Sequence, residues 1–288
     1  MAGLDALAPW GALLLGLVVG SFLNVLILRL PRRMQAELTA ACAEQRGEQS
    51  EPLPSRRFGL DYLIDPPSTC PHCGHRIRAW ENIPVLSYLF LRGRCSACAS
   101  TIGLRYPLVE AATGLLSLLV VLHFGPTPQA GAALVLTWGL VALTVIDLDH
   151  QLLPDEITLP LVWLGLLLNL DGLFTDLQSA VIGAAAGYLV LWLVFQVFRL
   201  LTGREGMGYG DFKLLAVFGA FLGWQMLPLV ILLSSLVGAL VGIGMVVLRG
   251  RDRQVPIPFG PYLAAAGFIA LLWGDPITRA YLQFAGLG

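Results

Sequence analysis

Apolar runs long enough to cross a membrane follow one another along most of this chain, and a single polar block over residues 29–105 interrupts them. The first run, residues 9–28, matches the roughly 20 residues that a helix needs to cross a hydrocarbon core. Further runs cover 107–124, 130–147, 156–170, 178–198, 212–224, 226–248 and 260–282. The pattern predicts an all-α polytopic membrane protein with about eight transmembrane helices. The run 212–224 is too short to cross unaided, so it is expected to lean on neighbouring helices or to line a polar cavity. The stretch from Val255 to Tyr262 carries Pro256, Pro258 and Pro261 and cannot be helical throughout. A loop turning into a helix and a cavity lining both remain open for it.

Composition supports the membrane assignment. Of 288 residues 56% are hydrophobic and 13% charged, and the mean hydropathy is +0.74, which excludes an ordinary soluble domain. The net charge of −1 is uninformative, but the placement of the 18 basic residues is not. Eleven lie between Arg29 and Arg105, and an orientation with the N-terminus outside puts all but Arg279 on the inner side. Asp5 precedes the first run while Arg29, Arg32 and Arg33 follow it, which reads as an uncleaved anchor and not as a signal peptide. Three parts result: 1–28 as the first transmembrane helix, 29–105 as an inner loop domain between helices 1 and 2, and 106–288 as a membrane domain. Within the loop, Arg32 to Ser55 has the composition of a solvated helix or a loose connector, whereas Pro66 to Arg105 carries four cysteines.

Cys70-Pro71-His72-Cys73 and Cys95-Ser96-Ala97-Cys98 are two C-x2-C knuckles 21 residues apart. That spacing suits a structural, tetrahedral Zn2+ site with no open position. A pair of disulfides is the alternative, and an inner-side loop disfavours it. His72 and His75 lie close enough to substitute, but four cysteines already fill the shell; Cys42 is left over as an inert thiol.

Acidic residues at the ends of apolar runs need a reason, because a carboxylate there must be paired, hydrated or protonated. Asp147 ends one run and Asp211 begins another on the same side, the latter flanked by Gly208 and Gly210. Two carboxylates about 5 Å apart at an effective dielectric near 20 repel by about 3 kcal/mol. Such a pair shares a proton, which is the condition for an aspartyl protease dyad. Capping of a helix start is the plain alternative for Asp211, and Asp149 competes with Asp147. Asp149, Asp155 and Glu156 also read as solvated loop residues. Lys213, two residues after Asp211, faces away from it on a helix.

Gly20-Ser21-Phe22-Leu23-Asn24-Val25, the cysteine tetrad, Glu81 to Tyr88, Arg105 to Glu110, Asp147 to Asp155, Gly208 to Lys213 and Pro258 to Pro261 together resemble the bacterial type IV prepilin peptidase family, a group of GxGD-type membrane aspartyl proteases. The resemblance spans nearly the whole chain. It implies a bifunctional inner-membrane enzyme. Such an enzyme cleaves the leader of type IV prepilins and type II secretion pseudopilins after Gly on the cytoplasmic side, then N-methylates the new terminus with S-adenosylmethionine. It further implies Asp147 and Asp211 as the catalytic pair and a methyltransferase role for 29–105, with Glu81, Asn82, Ser87, Tyr88 and Gly93 as candidate cofactor residues. Prepilin and pseudopilin substrates and membrane lipid are the expected partners, with no nucleic acid. A peptidase lacking the transferase, an ion-coupled transporter and a zinc-loop scaffold are competing readings. The transporter predicts acids at mid-membrane and repeat symmetry, neither of which the sequence shows, and the scaffold has no use for both aspartates.

Overall fold

The computed structural model describes residues 2–47, 61–64, 67–203, 207–249 and 258–286. The chain separates into two compact units, Met1–Gly125 and Pro126–Gly288. Secondary structure among the described residues is helical apart from two isolated bridges, Thr69 with Arg76 and Arg94 with Thr101. The expected all-α class is borne out.

The first unit holds α1 (Ala2–Gln45), α2 (Asp61–Ile64), a 3-10 turn (Ala79–Asn82), α3 (Leu86–Phe90) and α4 (Arg105–Phe124). The predicted first run, 9–28, is only part of α1, which continues for 44 residues through Pro31. At 1.5 Å per residue it is about 66 Å long, roughly twice a hydrocarbon core. Of the two readings of Arg32 to Ser55, a solvated helix or a loose connector, the helix holds as far as Gln45, and 48–55 lie outside the described residues. Arg29 donates to the Tyr62 and Leu63 carbonyls at 3.0 and 3.1 Å, and Arg33 stacks on the Tyr62 ring, so α1 carries α2 on its polar extension. Along their apolar halves α1 and α4 pack through small residues, as helices in lipid do when van der Waals contact drives association.

The second unit holds α5 (Pro128–His150), α6 (Asp155–Leu168), α7 (Leu177–Thr202), α8 (Tyr209–Leu222), α9 (Leu227–Arg249) and α10 (Gly260–Phe284). Starts are specified locally: the Thr127 hydroxyl accepts the Ala130 N–H with Pro128 following, and Asp176 accepts the Ser179 N–H at 2.9 Å. α8 is the element that the sequence marks as too short to stand alone. Its residues Phe212 and Leu214 to Phe221 are all buried, so it meets helices instead of lipid. It meets α7 backbone to backbone: a Cβ on Gly183 would lie 2.4 Å from the Gly219 carbonyl oxygen. Buried Asn169 closes its far end, donating to the Ala220 and Phe221 carbonyls at 2.8 and 3.0 Å while accepting the Phe174 and Thr175 N–H groups. All four of its hydrogen-bonding positions are used.

Five helical stretches among the described residues are long and apolar enough to cross a membrane: Ala6–Gln45, Arg105–Phe124, Pro128–His150, Leu177–Thr202 and Trp224–Met245. α6 and α8, 14 residues each, and α10 complete the apolar segments read from the sequence. α10 bends at Trp273 (φ −128°, ψ 15°), three residues before Pro276, whose ring cannot be accommodated by a regular preceding turn.

Candidate active site and metal centre

Asp147 lies in the last turn of α5 and Asp211 in the first turn of α8, and each is 6% exposed. Asp149, the competitor for the first position, is exposed. The two buried carboxylates interact through their charges. Each also rests on the start of a helix. Asp147 Oδ2 accepts the Gly260 N–H at 3.0 Å, one of the α10 donors that have no partner inside the helix. Asp211 stands at the third position of α8 and takes the Gly208 N–H, as the acidic member of a capping box does. The capping alternative thus describes how Asp211 is aimed, without using up its second oxygen.

Gly260 has no side chain for a steric reason, since a Cβ there would lie 2.6 Å from Asp147 Oδ2. The same Gly260 face and the Gly210 face both touch Leu153, which sits in the connection after α5. Beside this point a cavity of about 280 Å³ is lined by Ser235, Gly238, Ala239, Pro258, Phe259 and Tyr262. Pro258 and Phe259 therefore serve both the entry to α10 and the lining, while 255–257 lie outside the described residues. Lys213 points away from Asp211, as its position on the helix predicts, and pairs with Asp155 at 2.5 and 2.7 Å, joining the start of α8 to that of α6. Sequence reasoning missed Gly260 as a specific donor; its only signal was the broken Pro/Gly entry to the last run.

In the first unit the two knuckles are the same turn used twice. Cys70 N–H bonds the His75 carbonyl and Gly74 N–H the Cys70 carbonyl; Cys95 N–H bonds the Ser100 carbonyl and Ala99 N–H the Cys95 carbonyl. The left-handed residue is Gly74 in one (φ 70°) and Ala99 in the other (φ 57°). The four sulfur atoms lie within 4.8 Å of one another, with Cys70–Cys98 at 3.8 Å and Cys73–Cys95 at 3.9 Å. Disulfide sulfurs would be about 2 Å apart. Thiolates around a tetrahedral Zn2+ at about 2.3 Å are separated by about 3.8 Å. The donor set fits zinc. The His72 backbone N–H, then the Cys73 N–H and the Ser100 hydroxyl, lower the Cys70 thiol to about 5, which favours the thiolate. Although the His75 N–H works to lower Cys73, burial and the neighbouring sulfurs push it up to about 12, the behaviour of crowded thiols that a central cation would relieve.

Glu81 ties the knuckles together. It accepts the Arg78 N–H at 2.8 Å, the Ser96 hydroxyl at 2.6 Å and His75 Nε2 at 3.1 Å. These contacts, the Arg78 N–H first, hold its carboxyl down at about 2. His75 is occupied by this contact and is not part of the cysteine cluster. Tyr88 lies on Gly93, where a Cβ would be 2.7 Å from its hydroxyl, and reaches the Ile102 carbonyl at 3.4 Å. Glu81, Tyr88 and Gly93 thus build the loop, whereas Asn82 is exposed and Ser87 half-buried in the same short segment.

Comparison with known sequences decides the family. The sequence model of the Bacterial Peptidase A24 N-terminal domain matches residues 14–124, and that of the Type IV leader peptidase family matches 134–243. The chain is 61% identical to the prepilin leader peptidase/N-methyltransferase of Pseudomonas aeruginosa over 95% of its own length and 93% of that protein. It is 58% identical to the protein of the same name from Aeromonas hydrophila, over 93% and 92%, and 51% identical to that of Burkholderia pseudomallei strain 1026b, over 96% and 87%. The chain belongs to the type IV leader peptidase family. The resemblance read from seven short motifs is therefore borne out along nearly the whole chain, and this family member is an inner-membrane protein. No solved structure matches the chain. The join between the two family matches falls within ten residues of the boundary between the two compact units.

Proposed function

We propose that this protein is a bifunctional membrane enzyme that removes the leader from type IV prepilins and type II secretion pseudopilins and then N-methylates the new terminus. The supporting observation is the pair of buried carboxylates, Asp147 and Asp211, interacting through charge while each rests on one helix start. Proteins 50 to 61% identical bear the name prepilin leader peptidase/N-methyltransferase.

In the cleavage step, one carboxylate takes a proton from water while its protonated partner polarises the scissile carbonyl. Hydroxide adds to the carbonyl carbon, the C–N bond breaks, and the amine leaves with the proton. The dyad consists of Asp147 and Asp211, with Gly260 steadying Asp147 and Gly208 steadying Asp211. Cleavage falls after Gly at the cytoplasmic face, with the N-terminus outside, in keeping with the placement of the basic residues. A basic leader is drawn by Asp149, Asp155 and Glu156. The peptidase lies in 106–288 and the methyltransferase in 29–105, where Cys70, Cys73, Cys95 and Cys98 hold structural zinc. S-adenosylmethionine supplies an electrophilic methyl group when bound. Asn82 and Ser87 would offer it polar atoms, on a segment that Glu81, Tyr88 and Gly93 shape. The test is incubation of the purified enzyme with a prepilin and labelled S-adenosylmethionine, scoring leader loss and methyl transfer separately. An intact prepilin at the end would overturn the reading.

A further inference from the structure

Three motifs that the cleavage chemistry does not use meet at one point of the first unit. Gly20 and Ser21 come from α1, Val85 from the turn before α3, and Glu110 from the second turn of α4. Glu110 is 8% exposed and is the one acid of a largely apolar helix, where a carboxylate needs its lone pairs filled. Its Oε2 accepts the Val85 N–H at 2.7 Å, and the Ser21 hydroxyl bonds it as well. α1 comes close enough because residue 20 has no side chain; a Cβ there would lie 2.7 Å from Glu110 Cα. One turn further along α1, buried Asn24 donates to the Tyr106 carbonyl at 3.1 Å.

Val85 is the constrained partner. Its φ of 59° and ψ of −47° lie where a β-branched side chain is found only when its surroundings impose it. The residue joins Glu81 and Asn82 on one side to Ser87 and Tyr88 on the other, so its backbone sets how that segment meets α1 and α4. We propose that Glu110 is a positioning residue for methyl transfer, clamping the Val85 backbone so that the Glu81–Tyr88 segment is held in one geometry. The inference rests on the methyltransferase reading of the first unit, and Glu110 itself stays clear of the reacting atoms.

The experiment uses the full-length enzyme in lipid nanodiscs, with a pre-cleaved pilin as methyl acceptor. Glu110→Ala is expected to lower kcat for methyl transfer by about tenfold or more, the effect of losing one buried charge-assisted hydrogen bond. Glu110→Gln keeps an oxygen for the Val85 N–H and retains most of the rate. Hydrogen exchange across residues 84–90, measured without cofactor, rises in the Ala variant and stays near wild type in the Gln variant. Val85→Gly in the Glu110→Ala background recovers part of the rate, because glycine takes this φ unaided. Prepilin cleavage and zinc content stay unchanged and report that the fold is intact. Wild-type methylation by Glu110→Ala, equal loss in the Gln and Ala variants, or loss of cleavage and zinc in both would overturn the clamp. Absence of methyl transfer in the wild type would overturn the functional reading instead, and the exchange measurement would still accept or reject the clamp.

Discussion

The two units bury carboxylates in opposite ways. In the first, Glu81 and Glu110 are surrounded by donors: three groups on Glu81, and the Val85 N–H and Ser21 hydroxyl on Glu110. In the second, Asp147 and Asp211 each take one backbone N–H among the described residues and otherwise face one another's charge. A carboxylate with two or three donors holds backbone in place and has less left to offer a substrate. An undersaturated one, buried beside another, keeps an oxygen for water and a proton to share. Within one chain, the number of donors around an acid distinguishes the two units more sharply than burial does, since Glu110 and Asp147 are almost equally inaccessible.

The largest expected effect comes from removing an undersaturated acid. Asp147→Asn or Asp211→Asn lowers prepilin cleavage by roughly 10³-fold or more, the scale of losing general acid–base catalysis, while methylation of a pre-cleaved pilin persists. Asp149→Asn, at an exposed position, changes cleavage by less than about threefold. Gel-based leader removal reads both, and equal loss at 147 and 149 would sink the comparison. Next is the metal: Cys73→Ser, or strong chelation, removes structural zinc whose binding is worth about 10 kcal/mol or more in small domains. Metal analysis falls from one zinc per chain toward none, and methyl transfer fails before cleavage does.

A smaller change tests the single donor on Asp147. Gly260→Ala puts a methyl group against Oδ2 and displaces the carboxylate, lowering kcat by about 10- to 100-fold with KM little altered. Lys213→Met breaks a partly exposed ion pair with Asp155 and lowers stability by less than about 1 kcal/mol, readable as a small Tm shift. The smallest effect is the pH response of Glu81. Its carboxyl lies at about 2 in the folded loop and near 4.3 in an unfolded chain. Its contribution is therefore complete above about pH 4.3 and is lost as pH falls toward 2. Hydrogen exchange at Arg78 should rise across that window in the wild type and show no such step in Glu81→Gln.

Much of the fold was legible because apolar runs of helical length leave few alternatives in a membrane. Boundaries failed where polarity changed without a change in conformation: nothing in the run 9–28 says that α1 persists to Gln45, because a solvated helix has no apolar signature. The short run at 212–224 stands out by its length, yet its neighbours are not legible, since they depend on the Gly183–Gly219 contact between segments 36 residues apart. At the candidate sites, Asp211 stood out by its glycines and the four cysteines by their spacing. The choice between Asp147 and Asp149 was not legible. Both sit at the end of the same run, and only the packing of α5 turns one inward. Glu110 left a readable trace, an acid six residues into an apolar helix, but its partner at Val85 is set by tertiary structure.

The doubled knuckle turn also imposes an order in time. Neither half can hold a tetrahedral metal alone, and the second half is made 25 residues after the first. At about 5–20 residues per second the first turn waits roughly one to five seconds for its counterpart. The Val85 turn waits over the same span, 25 residues, but its partner Glu110 emerges later than the second knuckle, in the second turn of α4. The loop is therefore fastened last from outside itself, by the opening turns of the second long helix, after both knuckles have been made.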